Sequence, residues 1–135
     1  LDISTYLFFD GNCEEAFKFY EQLLGGKIEL MMPHRGTPAE EYCSPEWKDK
    51  ILHACLRIGK QSLLASDAPP DRAGVPEGFF VSVSVADPEE AERIFAAFAE
   101  GGTIKMPMEE TFWARRFGMV VDRFRTPWMV NCEKS

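Results

Sequence analysis

An internal repeat constrains this chain more than any other feature of its sequence. Residues 19–32, FYEQLLGGKIELMM, lie over residues 95–108, FAAFAEGGTIKMPM, at a constant offset of 76. Phe19 falls on Phe95, Gly25 and Gly26 on Gly101 and Gly102, Ile28 on Ile104, and Met32 on Met108. Upstream the offset becomes 75, with Asn12 on Asp87, Glu15 on Glu90 and Ala16 on Ala91; this places a one-residue insertion in the helix of the second copy. A length of 135 residues suits one domain. The copies are therefore read as two modules of one domain, about 1–66 and 79–135, joined by a linker at 67–78.

The punctuation of the two halves agrees. Each opens on a β-like run, STYLFF at 4–9 and FFVSVSVA at 79–86, the second with near-perfect alternation. Each run meets an Asx residue followed three positions later by Glu, a helix-start signal, and Pro88 occupies the helix position that best tolerates proline. Apolar residues then recur at helical spacing: Ala16, Phe17, Tyr20, Leu23 and Leu24 in one half, Ala91, Ile94, Phe95 and Phe98 in the other. Both helices stop at Gly-Gly. Three further strands follow in each half, at about 27–32, 50–58 and 61–66, and at about 103–108, 111–121 and 127–133. The pattern is two βαβββ units, with a polar, proline-rich loop at 32–49.

Composition excludes several classes. Eleven Phe and three Trp are too much apolar payload for a disordered chain. A net charge of −7 opposes phosphate backbones and anionic membrane surfaces, so neither nucleic acid nor a membrane is expected as partner. No run approaches the length of a membrane span, and LDISTYLFFD has neither the basic flank nor the apolar run of a signal peptide. Cys13, Cys43, Cys55 and Cys132 form no CxxC pair, which favours reduced thiols in a cytoplasmic protein over a zinc site.

Tandem βαβββ units in a chain of this length resemble the vicinal-oxygen-chelate superfamily of glyoxalase I, extradiol dioxygenases and bleomycin- or fosfomycin-resistance proteins. The finer similarity is to its PhnB-like branch, often labelled 3-demethylubiquinone-9 3-methyltransferase-like. The residues that carry it are YLFFDGNCEEAFKFY (6–20), the following GG, KILHA (50–54), SDAPP (66–70), FWARRFG (112–118) and DRFRTPWMVNC (122–132). One departure is Arg125, where the branch usually has Gly. The resemblance implies an α+β fold like that of glyoxalase and dihydroxybiphenyl dioxygenase: a cupped, eight-stranded mixed sheet with helices outside and a cavity inside. It also implies a homodimer and a small-molecule ligand.

Metal-using members take His or Glu ligands from four strands. Carried over by counting from the helix starts and final turns, these positions fall at Thr5, Ala65, Phe80 and Met129. Slippage of this count by one or two residues gives Tyr6, Ser66, Ser82 and Asn131. Neither set is a metal donor set, so no metal is expected. No Gly-rich strand–turn–helix opens a nucleotide-type site, because Gly25-Gly26 and Gly101-Gly102 end helices. The methyltransferase label gains no support from these residues, and no cofactor is expected.

The remaining candidates come from strand alternation. On 79–86 the valines share one face, suited to lie under a helix, while Ser82 and Ser84 share the other, suited to line a pocket or to meet solvent. Asn131 is expected beside them. His53 lies on the more polar face of KILHACLRI, as an acid, base or donor, or as a structural histidine bonded to backbone or carboxylate. Asp67 orients His53 or caps the linker. Arg115 and Arg116 lie on opposite faces, so one of them can clamp an anion unless both are rim or salt-bridge arginines. Trp113 and Trp128 stack on a planar ligand or pack in the core or a dimer contact. Together these readings give a binding or sequestering module, or a metal-independent enzyme with His53 as candidate catalytic residue. The ligand set is Ser82, Ser84, Asn131, Arg115 or Arg116, Trp113 and Asp67, in a cavity between the modules. The alternative is a metal-dependent glyoxalase- or dioxygenase-like enzyme.

Overall fold

The computed structural model describes residues 1–69 and 74–134. The chain divides into two compact units, Leu1–Gly74 and Val75–Ser135. The first contains β1 (Thr5–Phe9), α1 (Cys13–Leu24), β2 (Lys27–Pro33), β3 (Ile51–Ile58) and β4 (Gln61–Asp67), with two short 3-10 turns at Pro38–Tyr42 and Pro45–Trp47 in the long loop. The second contains β5 (Val81–Val85), α2 (Pro88–Ala99), β6 (Thr103–Glu109), β7 (Ala114–Val121) and β8 (Pro127–Glu133). Part of the 67–78 segment, residues 70–73, lies outside the described residues.

The fold is α+β, and the repeat is one of topology. The strand orders are β1-β4-β3-β2 and β5-β8-β7-β6. In each sheet the first strand pairs parallel with the last, and the other pairings are antiparallel. Register equates the copies: Tyr6 lies opposite Leu64 as Ser82 lies opposite Met129, and Phe8 opposite Ser66 as Ser84 opposite Asn131.

One face of each sheet is buried by its helix. Under α1 lie Leu7, Phe9, Ala54, Leu56, Leu63 and Ala65, which meet Ala16, Phe17, Tyr20 and Leu23. Under α2 lie Ala114, Val120, Trp128, Val130 and Cys132, which meet Ala91, Ile94, Phe95 and Phe98; Phe98 stacks on Trp128 at 4.4 Å. Apolar area removed from water here is the main stabilising term of each unit. The close approach demands the second glycine of each pair. A Cβ on Gly26 would stand 2.8 Å from the Arg57 carbonyl oxygen, and one on Gly102 2.3 Å from that of Val121.

Three details depart from the sequence reading. Both helices have 12 residues, so the extra residue of the second copy is outside the helix. It is Glu100, between the end of α2 and Gly101; Gly25 (φ 72) directly follows α1, and Gly101 (φ 75) follows α2 after one residue. A helix accommodates an insertion at its end without rotating its buried stripe. Strand β7 begins at Ala114 instead of 111, because Thr111 folds back on Ala114: its N–H donates to the Ala114 carbonyl, and its hydroxyl accepts the Ala114 N–H, both at 3.0 Å. Phe112 and Trp113 are thereby left off the strand, 88% and 49% exposed. Finally, β5 begins at Val81, which leaves Phe80 outside it.

Candidate functional site

The face of each sheet away from its helix is open. On the first sheet it carries Tyr6 and Phe8 from β1, Leu64 and Ser66 from β4, His53 and Cys55 from β3, and Leu30 and Met32 from β2, as the pairing register requires. Tyr6 and Phe8 are 39% and 60% exposed, with ring centroids 5.2 Å apart. The Tyr6 hydroxyl lies 3.0 Å from His53 Nδ1, and the two rings stack at 5.7 Å. Strand β4 separates their strands, so the two side chains lean toward each other over it. The His53 side chain makes no other hydrogen bond or ion pair among the described residues. It is bonded neither to backbone nor to carboxylate. Sequence reasoning named His53 and missed Tyr6 as its partner.

His34 provides the contrast. Within the polar loop 32–49 it is half-buried, with Nδ1 2.8 Å from the Lys50 carbonyl oxygen, and its backbone N–H donates to the same oxygen at 3.0 Å. It anchors the long loop.

Asp67 is not next to His53 in function. It is 5% exposed and sits at the start of α1, where Oδ1 accepts the Cys13 N–H at 2.9 Å and Oδ2 the Ile51 N–H at 2.8 Å. It thus caps the helix from β4, not the linker. Asn12, at the N-cap position, makes no capping bond, and its Oδ1 is buried without a partner. Cys13 is wholly buried, and burial, then the charges of Asp67 and Glu14, pushes its thiol well above the usual range.

On the second sheet, the open face carries Ser82, Ser84, Met129, Asn131, Phe117 and Met119. Ser82 and Ser84 are exposed, and Asn131 is half-buried with Oδ1 lacking a partner. The valines of β5 share the helix face. Arg116 also lies on that side: its Nε donates to Glu92 of α2 at 2.6 Å and Nη2 to the Met108 carbonyl at 3.3 Å, so it is a salt-bridge arginine. Arg115 is exposed and lines a hollow of about 390 Å³ with Ser84, Val85, Ala86, Glu133 and Lys134. Trp113 packs edge-on against Phe117 and Phe112. Trp128 is core.

The counted metal positions divide between faces. Ala65 is fully buried on the helix side, with Thr5 on the same side, whereas Tyr6, Ser66, Ser82 and Asn131 lie on the open faces. Of the first set, Met129 alone is placed on an open face by the pairing, whereas the shifted set lies there whole. Its phenol, hydroxyls and amide do not form the His and carboxylate set that a chelated divalent ion requires. No group of three or more His, Cys, Asp or Glu among the described residues is placed to hold a metal ion. No helix among them is long and apolar enough to cross a membrane.

Two βαβββ units with parallel first–last pairing, each offering an open sheet face, define a glyoxalase-type fold. The chain belongs to the Glyoxalase/Bleomycin resistance protein/Dioxygenase superfamily, whose family model matches residues 2–133. It is 35% identical to protein YjdN of Escherichia coli (strain K12) over 143 residues, covering 100% of this chain and 97% of that protein. Among solved structures it is similar to protein PA1353 of Pseudomonas aeruginosa, with 48% identity, a TM-score of 0.90 and coverage of 100% and 99% of the two chains. The PhnB protein of Bacillus cereus shares the fold at a TM-score of 0.84 and 22% identity, covering 98% of this chain and 99% of that one.

Proposed function

We propose that the protein binds a planar, largely apolar small molecule on the open face of its first sheet, without a metal, and that Tyr6 and His53 supply the hydrogen-bonding centre. The observation that carries this reading is the Tyr6–His53 bond beside an exposed Phe8. Exposed aromatic rings around a few convergent polar groups are the composition of a small-molecule site. The polar face of the second sheet, Ser82, Ser84 and Asn131 with Arg115, is proposed to serve polar groups of a ligand. Exposed Phe112 and Trp113 support a homodimer contact, and four free cysteines support a cytoplasmic protein.

Titration with 2-naphthol, followed by heteronuclear NMR, tests the reading. Saturable shifts are expected at Tyr6, Phe8, His53, Cys55 and Ser66, weakened about tenfold in Phe8→Ser, the loss of roughly one aromatic contact. Shifts confined to other surfaces, or unchanged in Phe8→Ser, would overturn it. Light scattering at micromolar concentration tests the dimer, with a monomer as the contrary result.

A further inference from the structure

Resting on that reading, we propose that the Tyr6–His53 pair is a proton-transfer device that interconverts the keto and enol forms of an uncharged aryl 1,3-dicarbonyl compound. The two histidines of the first module face partners of different chemistry. His34 Nδ1 faces a backbone carbonyl, which only accepts, so its ring is held in one tautomer. His53 Nδ1 faces a phenolic hydroxyl, which both donates and accepts. The hydrogen bond survives in either direction. When Nδ1–H donates to Tyr6 Oη, Nε2 has a free lone pair and the phenolic O–H is free to donate. When the phenol donates to Nδ1, Nε2 carries the proton and Oη accepts. The two arrangements differ by one proton taken up at Nε2 and one released at Oη.

That difference is a balanced isomerisation. Nε2 takes the proton from the carbon between the two carbonyls. The C–H electron pair becomes the C=C bond, and the carbonyl π pair becomes an O–H bond using the Tyr6 hydroxyl proton. Tyr6 Oη recovers a proton from Nδ1. Nothing is oxidised or reduced, and the pair resets by the reverse transfer or by proton exchange with water. An imidazole is too weak a base for an ordinary α-carbon, so the class of substrate is a C–H flanked by two carbonyls.

The surroundings fix the rest of the class. The neighbours on this face are Phe8, Leu30, Met32, Cys55, Leu64 and Ser66, which suits an aryl group. Arg57, further along β3, is engaged by Glu29 at 3.0 Å, so it is not presented to an anion. The pair is also not a demand of the fold. At the equivalent register positions the second sheet has Ser82 in place of Tyr6 and Phe117 in place of His53.

Benzoylacetone is the probe. Its binding is read by NMR shifts on β1, β3 and β4, and its turnover by deuterium uptake at the central carbon, over the buffer rate. Acceleration by the intact protein is expected, with a loss of about 10- to 100-fold in both Tyr6→Phe and His53→Gln while the Phe variant still binds. Binding without accelerated exchange, or full exchange in Tyr6→Phe, would overturn the proton-transfer proposal and leave the binding site standing. Absence of binding on the first sheet would overturn both.

Discussion

The two modules meet the same needs with carboxylates placed in opposite corners. In module one, α1 is capped from outside: Asp67 reaches Cys13 across 54 residues and also holds Ile51 at the start of β3. In module two, α2 caps itself, with the Asp87 side chain accepting the Glu89 N–H at 3.0 Å, and Cys132 stands where Asp67 would be. The final turns reverse the arrangement. Module one turns in two residues, Gly59 (φ 60) and Lys60, between the paired Ile58 and Gln61. Module two uses the longer turn 122–126 built on buried Asp122, which accepts from the Phe124 and Thr126 N–H groups and from Trp128 Nε1. A duplicated fold preserves the requirement that buried donors be met, not the residue that meets it.

Substitutions can break this contrast. Asp122→Ala removes three accepted bonds and leaves buried donors behind; it is expected to cost about 3–4 kcal/mol in urea unfolding. Asp67→Ala is expected to cost about 2–3 kcal/mol, since it strands two buried N–H groups on different elements. Asp87→Ala, at an exposed local cap, should cost about 1 kcal/mol. Equal losses for Asp67 and Asp87 would erase the distinction between tertiary and local capping. The smallest effect sharpens the turn comparison. Arg125 has φ 74, a conformation costly for a side chain, in a turn whose module-one counterpart uses Gly59. Arg125→Gly should stabilise the protein by about 0.5–1 kcal/mol, seen as a raised thermal midpoint; a lowered midpoint would mean that the Arg125 side chain contributes more than its backbone costs.

What the sequence made legible was local. Alternation in VSVSV, helical spacing in both α segments and the glycine pairs are short-range signals, and they found the elements and their repeat. Arg125 was legible as a departure only through the resemblance, because the branch usually has Gly there; its left-handed φ supplies the physical reason. TFW read as strand because apolar residues extend the alternating run, yet Thr111 closes a turn that no period reveals. The site was legible only by half. Strand alternation put His53 on the face away from the helix, but Tyr6 becomes its partner through parallel pairing of β1 with β4, at a separation of 47 residues. Counting from helix starts and final turns placed Thr5 and Ala65 on the buried face because a one-residue slip exchanges the faces of a strand. The joint role of Asp67 likewise depends on three elements meeting.

Cys13 occupies the first turn of α1, where a helix ordinarily makes a thiol reactive. Burial and the neighbouring Asp67 reverse that tendency and keep it protonated. Cys55, half-buried on the open face near His53, remains within reach of solvent. The chain therefore carries two chemical clocks in one module. Alkylation of Cys55 runs in the native state and slows when something covers that face. Alkylation of Cys13 waits for the joint between α1 and β4 to part, so its rate reports how much of the time that joint stands open when reclosing outpaces the reagent.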